Sequence, residues 1–567
     1  MDLTQYTPET WIQNEEVLLN QLQNSSWKSF PLLNQVAFDS LKDGQIVRFV
    51  GMIQDMHSPE YYIESYVSVN NETQEKNIKS GKYIDFIKPE DIESVNFYGE
   101  DTVRKELHTF YAISTPAENQ WVKDIERIES NLRVDTLRGN SQKRTLDEAC
   151  SSSDLGTSYT NEDRSNSCKK HCTKPTNLNE KSNQNVPIEH LNFPIEDENG
   201  KACLIKVYNN EGNIKLNHIY EFIGFLSVNP RLSHESIPPE EYETDIEMQM
   251  HNPPPSLIPR IHCLCYKPLT HQNPLVDGVD LNNFKFMDIR KDLMILLTQL
   301  LLGDEVAAEY LLCHLISEVY IRKDLMALGK FSLNLSNIPV LENLNYVEKL
   351  YEFIQLLIPK SHYLPLTIEN LNNITFVPKK DYESDRLVSG LLQLSANTSL
   401  VLDETKLQPG KLDQAGLGAV NSLVNLIKTQ KMSYDFNYYP VEFDCDIPCL
   451  ITSEFKSMLP SDCHVILKPE ESHISTFNEV VEAAKHFLKP DLLNEIRKYL
   501  TLARMVTYKL GDNVQTLIQN KFVEMRQQGG NPDDLHNLLV LNRLICLSYG
   551  RIHWMTSLGL LLLSWRS

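Results

Sequence analysis

Positive charge is in short supply: the 567 residues include 54 lysines and arginines against 76 aspartates and glutamates, a formal charge of -22. A chain so balanced does not attract DNA phosphates over distance, so direct nucleic-acid binding is not expected, whereas basic proteins or basic faces of partners suit it. Acidity is also common among ordinary cytosolic proteins, so charge by itself names no partner. Regular cysteine spacing is missing too. The 11 cysteines are odd in number and irregularly placed, which argues against a secreted disulfide framework and for a reducing, intracellular compartment. The nearest approach to a metal motif, Cys168 with His171 and Cys172, has no second ligand pair at zinc-site spacing, and no metal is expected. Long apolar runs are absent. The longest, LGLLLLSW near the C-terminus, falls far below the ~20 residues that span a bilayer. The start, MDLTQYTPETWIQNEE, lacks the basic and apolar regions of a signal peptide, so neither a membrane span nor secretion is expected.

What is present suits a globular protein: 41% hydrophobic residues and length for two to four domains. Residues 1–132 open with a helical segment and then turn to strands at IVRFVGMIQDM (46–56) and EYYIESYVSV (60–69). Residues 133–190 are rich in Ser, Asn, Thr, Asp, Glu and Lys, too polar to offset ordering entropy, and are expected to be a disordered insertion. Strands resume in 191–270 with ACLIKVY (202–208), IYEFIGFLSV (219–228) and RIHCLCY (260–266). Five such strands predict a small OB-like barrel interrupted by the insertion, with Gly51 and Gly224 at its bends or bulges.

Residues 275–487 change period. Ile289, Leu293, Leu296, Leu297 and Leu300 fall on one helical face; after Gly303 a second helix uses Ala307, Ala308, Leu311, Leu312, Leu315 and Ile316. Strand candidates KFSLNLS (330–336), NITFVP (373–378), TSLVLDE (398–404) and PCLITSE (448–454) then alternate with helices, which predicts an α/β layer with a largely parallel sheet. Residues 488–567 return to helix, with Asn531, Pro532 and Asp533 as a helix start and an unusually apolar tail, GRIHWMTSLGLLLLSWRS.

Within LLGDEVAAEYLL (301–312) lie the turn and helix of a phosphate-binding loop, but Glu309 and Tyr310 stand where the Lys and the Ser or Thr belong. An acid facing phosphate opposes binding. The bland alternative is a plain helix start at Gly303, with Asp304 favoured by the helix dipole. Further on, Leu400, Val401 and Leu402 run into Asp403 and Glu404, an apolar strand ending in acids beside which a nucleotide's magnesium would sit; a strand emerging into solvent looks the same. In the barrel, Phe49, Tyr61, Tyr62, Tyr66 and Tyr208 could stack bases. Only Arg48 and Lys206 accompany them, among Asp55, Glu60 and Glu64, so core packing and protein contact are favoured.

These segments resemble the minichromosome maintenance (MCM) helicases and, over nearly the whole chain, the degenerate family that binds the MCM complex. GDEVAAEY (303–310) is similar to the GDPxxAKS turn of the helicases. RLVSGLLQLSANTSLVLDET (386–405), VNSLVNLIKTQKMSYDF (420–436) and CLITSE (449–454) resemble their run to the acidic strand end, the next helix and hairpin, and the sensor strand. Ser453 and Glu454 occupy the place of the sensor Asn. LLNEIRKYLTLARM (492–505), FVEMRQQ (522–528) and DDLHNLLVLNRL (533–544) resemble the helical lid, with Asp533 where its sensor arginine should fall. The connection to LPSDCHVIL is too short for the helicases' arginine finger.

The resemblance implies a degenerate AAA+-like module with a helical lid, no catalysis, no cofactor, and MCM subunits as partners. It also implies a nuclear setting and influence on hexamer assembly and removal from chromatin. Lys143 with Arg144 and Lys169 with Lys170 are the candidates for nuclear entry. An ATPase that obtains its charge neutralisation elsewhere and a single-stranded DNA factor acting through the barrel remain the alternatives.

Overall fold

The computed structural model describes residues 3–36, 41–128, 191–227, 258–508 and 532–551, with short interruptions such as 88–92, 210–213, 324–325, 340–344 and 384–385, and a few residues between 516 and 527. The expected insertion with Cys168, His171, Cys172 and the basic pairs, most of FVEMRQQ, and the tail from 552 lie outside the described residues.

The chain opens with helices α1 (Pro8–Ile12) and α2 (Glu15–Asn24), which pack Trp11, Leu18 and Leu22 against the strand region. Strands β1 (Ile46–Met56), β2 (Glu60–Asn70), β3 (Lys76–Ser80), β4 (Glu93–Val95) and β5 (Val103–Ile113) follow, then β6 (Ala202–Val207), β7 (Ile219–Ser227) and β8 (Arg260–Pro268). Their pairings return on themselves: β1–β7–β8–β6–β5–β1, all antiparallel except β6 with β8. Phe49, Ile205 and Phe222 are fully buried in one core of this ring.

Four of the ring's strands are the predicted ones. The fifth is not: the predicted strand at 60–69 is β2, which pairs outside the ring with β5, β3 and β4. β5 closes the ring instead. Its sequence VRKELHTFYAI hides it, because the first four residues are solvent-exposed and only the second half buries apolar side chains. Gly224 lies at a register shift between β7 and β8, where a Cβ would come within 2.1 Å of the His262 carbonyl oxygen. Gly51 marks close approach rather than a bulge: a Cβ there would meet the Ile113 carbonyl oxygen at 2.7 Å.

Helices α3 (Phe286–Leu300) and α4 (Glu305–Leu315) bury the two predicted apolar faces in the largest core. The small hairpin β9 (Ile321–Lys323) and β10 (Met326–Leu328) leads to the first strand of a parallel sheet, β11 (Leu333–Ser336). Helix α5 (Tyr346–Leu357), strand β12 (Ser361–Pro365) and helix α6 (Ile368–Asn373) come next. They are followed by β13 (Lys379–Asp381), β14 (Arg386–Val388), β15 (Ser399–Asp403) and helix α7 (Gln414–Thr429). After the hairpin β16 (Lys431–Asp435) and β17 (Pro440–Asp444), β18 (Cys449–Thr452) and β19 (Cys463–Ile466) complete the sheets. The parallel sheet has the order β12-β15-β18-β11-β19; a smaller sheet has β14-β13-β16-β17. Helices α8 (Glu471–Ser475), α9 (Phe477–Phe487), α10 (Pro490–Met505) and α11 (Pro532–Ser548) end the described chain. No helix among the described residues is long and apolar enough to cross a membrane.

The expected strand NITFVP is not one. Residues 374–378 form a strap whose Thr375 and Phe376 carbonyls accept from Leu391 and Leu392, while Phe376 is buried in a second core. The sheet takes SHYLP (β12) in its place, a strand whose His, Tyr and Pro obscure any apolar pattern.

Candidate functional site at the carboxyl edge of the parallel sheet

In open α/β sheets ligands bind beyond the carboxyl ends of the strands. Here that edge carries Asp403, Glu404 and Ser453 close together, because β15 and β18 are neighbours with Asp403 opposite Thr452. Asp403 is wholly buried and fully engaged. Its Oδ2 accepts the Tyr363 hydroxyl (2.6 Å), and its Oδ1 accepts the Thr405 N–H (3.0 Å), the Thr405 hydroxyl (2.6 Å) and the Thr452 hydroxyl (3.3 Å). Burial, then the bond to Asp403, raises the Tyr363 hydroxyl far above its ordinary pKa, so it stays a donor. Glu404 turns away to accept from the Ser457 hydroxyl (2.7 Å) and the Met458 N–H (3.3 Å), and burial raises its pKa. The Ser453 hydroxyl lies 2.8 Å from the Phe455 carbonyl and 3.2 Å from Asn334 Oδ1, two acceptors for one proton. The His464 Nε2 lies 2.7 Å from the Ser336 hydroxyl. Every one of these polar groups is spent on its neighbours. None of Tyr363, Thr452, Asn334 or His464 was singled out from sequence, since their roles arise only when distant strands meet.

Gly303 sits at the opposite border. Glu470 follows β19, the outermost strand, and its side chain lies 2.9 Å from where a Gly303 Cβ would be. From β19 to β15 is three strand spacings, about 14 Å. As the helical periods on both sides predict, the turn joins helix to helix, whereas a phosphate-binding loop follows a strand: beyond the end of α3 come Leu302 (φ 58°) and Gly303 (φ 90°), and α4 begins two residues after Gly303. Asp304 caps α4, its Oδ1 accepting the Ala307 N–H (2.9 Å), while its Oδ2 accepts the Lys468 N–H (2.9 Å). Glu309 does not face this turn's mouth as a repelling charge. It pairs with Arg290, whose guanidinium also donates to the Ser548 hydroxyl (3.0 Å) and covers the Tyr549 ring (4.1 Å). Tyr310 packs against the main core. Asp533 falls in the first turn of α11; its side chain lies outside the described residues.

The strand that leads into a helix beside β18 and β19 is instead β11, with residues 337–345 connecting it to α5. That connection, NIPVLENLN, holds neither Gly nor Lys. Asn337 takes the left-handed conformation (φ 61°) and anchors the connection through Nδ2 to the Leu467 carbonyl (2.8 Å).

A family model described as "Mini-chromosome maintenance replisome factor" matches residues 16–557. A Drosophila melanogaster protein named mini-chromosome maintenance complex-binding protein is 38% identical over 547 residues, covering 93% of this chain and 89% of its own length. Proteins of the same name from Danio rerio (38% over 555 residues, 92% and 87% covered) and Homo sapiens (37% over 572 residues, 93% and 88% covered) match as fully. The chain therefore belongs to the mini-chromosome maintenance replisome factor family.

Proposed function

We propose that this protein binds subunits of the MCM complex without hydrolysing nucleotide, and that it acts in the nucleus on the assembly, stability or chromatin unloading of the replicative helicase. The observation that carries the partner is the end-to-end likeness to proteins named for binding that complex. Three structural features support a non-catalytic role. The connection 337–345 between β11 and α5 lacks a phosphate-cradling Gly and a neutralising Lys. Asp403 is occupied by four internal hydrogen bonds. Glu309 is bound to Arg290.

In this reading the closed strand ring of 1–132 and 191–270 is an OB-like barrel around the insertion 133–190. Residues 275–487 are a degenerate AAA+-like module, and 488–567 its lid. Gly303, Asp304, Glu309, Tyr310, Asp403, Glu404, Ser453 and Asp533 are then framework, with no cofactor and no metal. Such a subunit-like body docks on ring subunits through apolar centres with polar rims and does not enter the hydrolysis cycle. The test is co-purification with MCM subunits from defined mixtures; the partner assignment fails if purified protein retains none of them. Non-catalysis is tested separately by titrating ATP and magnesium: saturable binding lost on changing Asp403 restores the ATPase alternative.

A further inference from the structure

We propose that the outer edge of β19 is a strand-addition site for an extended, apolar segment of a protein partner. The proposal rests on the protein-binding role above and gives it a place.

β19 is the last strand of the parallel sheet among the described residues. Cys463 and Leu467 donate their N–H groups inward, to the Ser332 (3.0 Å) and Ser336 (2.9 Å) carbonyls of the β11 segment. Alternation then turns the N–H and C=O of His464 and Ile466 outward. Both ends of that outer edge are already closed by side chains from flanking elements. Asn537 of α11 donates Nδ2 to the Asp462 carbonyl (2.9 Å), and Asp304 before α4 takes the Lys468 N–H (2.9 Å). Between the two stops, among the described residues, nothing pairs with His464 or Ile466 on this side. The window offers two donors and two acceptors in the spacing of a strand partner.

Beside it runs a groove of about 640 Å³, walled by residues 461–466 on one side and by Val306, Tyr310, Leu538 and Leu541 of α4 and α11 on the other. Ile466 is 57% exposed and Val306 42%, so apolar surface flanks the open backbone groups. Edge strands are guarded by shortness, Lys, Pro, a bulge or a covering element; CHVI is short at four residues, but it carries no Lys, Pro or bulge. An extended segment with apolar side chains at alternate positions satisfies both parts, its backbone pairing with His464 and Ile466 and its side chains entering the groove. The turn at Gly303 thereby acquires a role: Asp304 is one end-stop and Tyr310 part of the wall.

The test uses full-length protein with purified MCM subunits and hydrogen–deuterium exchange over 461–468. The His464 and Ile466 amides are expected to exchange rapidly in the free protein and slowly in the complex. Ile466→Pro, which removes only an outward N–H and is admitted on an edge strand, is expected to weaken binding by about tenfold or more. Ile466→Thr, which keeps the donor, should change it by less than about threefold. Unaltered thermal melting checks folding, and should Ile466→Pro fail it, exchange on the unaltered protein decides. Slow exchange already in the free protein would show that this chain covers its own edge, and overturns the proposal. Persistent binding with rapid exchange at both amides overturns it while leaving the MCM-binding role intact; loss of all binding by the unaltered protein removes that role itself.

Discussion

Trp121 donates its indole N–H to the Ile358 carbonyl (3.0 Å) while the Arg497 guanidinium lies 4.2 Å over its ring. One side chain thus ties the segment after β5 to the end of α5 and to α10. Asn119 Nδ2 reaches the same carbonyl (2.7 Å), and the Arg497 Nε donates to the Leu356 carbonyl (2.8 Å). Trp121→Phe removes a buried hydrogen bond and most of the cation–π contact, and is expected to cost about 2 kcal/mol. Urea unfolding followed by circular dichroism measures it; an unchanged midpoint would mean that the strand ring and the parallel-sheet region do not stabilise each other here.

Asp403 is expected to matter for stability and not for magnesium. Asp403→Ala leaves the Tyr363 and Thr452 hydroxyls and the Thr405 N–H without their shared acceptor in a fully buried place. The expected loss is about 3 kcal/mol. Asp403→Asn keeps one acceptor oxygen and should lose less. Magnesium added to the native protein should leave the melting temperature unaltered; a rise abolished by Asp403→Asn would show a metal site.

These two positions illustrate what sequence can and cannot disclose. The apolar run before Asp403 placed β15 correctly, because a strand buried on both faces needs continuous apolar residues. The helical faces at 289–300 and 307–316 were legible for the corresponding reason, period 3.6. β5 and β12 were not, since half of one is solvent-exposed and the other carries His, Tyr and Pro. Before Gly303 the helical period of the apolar run was legible as well, so the strand from which a phosphate-binding loop springs was already missing from the sequence pattern. That Glu309 would meet Arg290, or Asp304 meet Lys468, depends on contacts between elements that no spacing reveals.

A pH dependence follows from Glu118 and Lys360, which face each other across an isolated bridge between the two regions. Burial, then the charge of Glu126, pushes the Glu118 pKa up to about 8; burial, then the charge of Arg504, brings Lys360 down to about 7. For Glu118 the folded value exceeds the ordinary 4.5 of the unfolded chain, so its contribution is full below that pH and is lost as pH rises through 8. For Lys360 the folded value lies below 10.5, so its contribution is full above that pH and is lost as pH falls through 7. Glu118→Gln should therefore flatten the decline in stability between pH 4.5 and 8. Lys360→Met should flatten the rise between pH 7 and 10.5. Urea midpoints across this range test both signs, and parallel curves for the variants and the unaltered protein would refute them.

Restoring the residues that a phosphate-binding loop requires should not restore nucleotide binding. In the double variant Glu309→Lys with Tyr310→Ser, the new ammonium would stand beside Arg290, whose side chain is only 10% exposed. Breaking that pair and placing two like charges together is expected to cost about 3 kcal/mol or more. Glu309→Gln removes the charge without adding a second cation and should cost less. The turn itself joins α3 to α4, with Asp304 taking the Ala307 and Lys468 N–H groups and the Glu470 side chain against Gly303, so carboxylates already stand at the helix start where a phosphate would have to sit. Calorimetric titration with ATP and magnesium is expected to show no heat of binding for the double variant, together with a lowered melting temperature. Saturable binding with an unaltered melting temperature would instead establish that 303–310 is a nucleotide loop missing only two side chains.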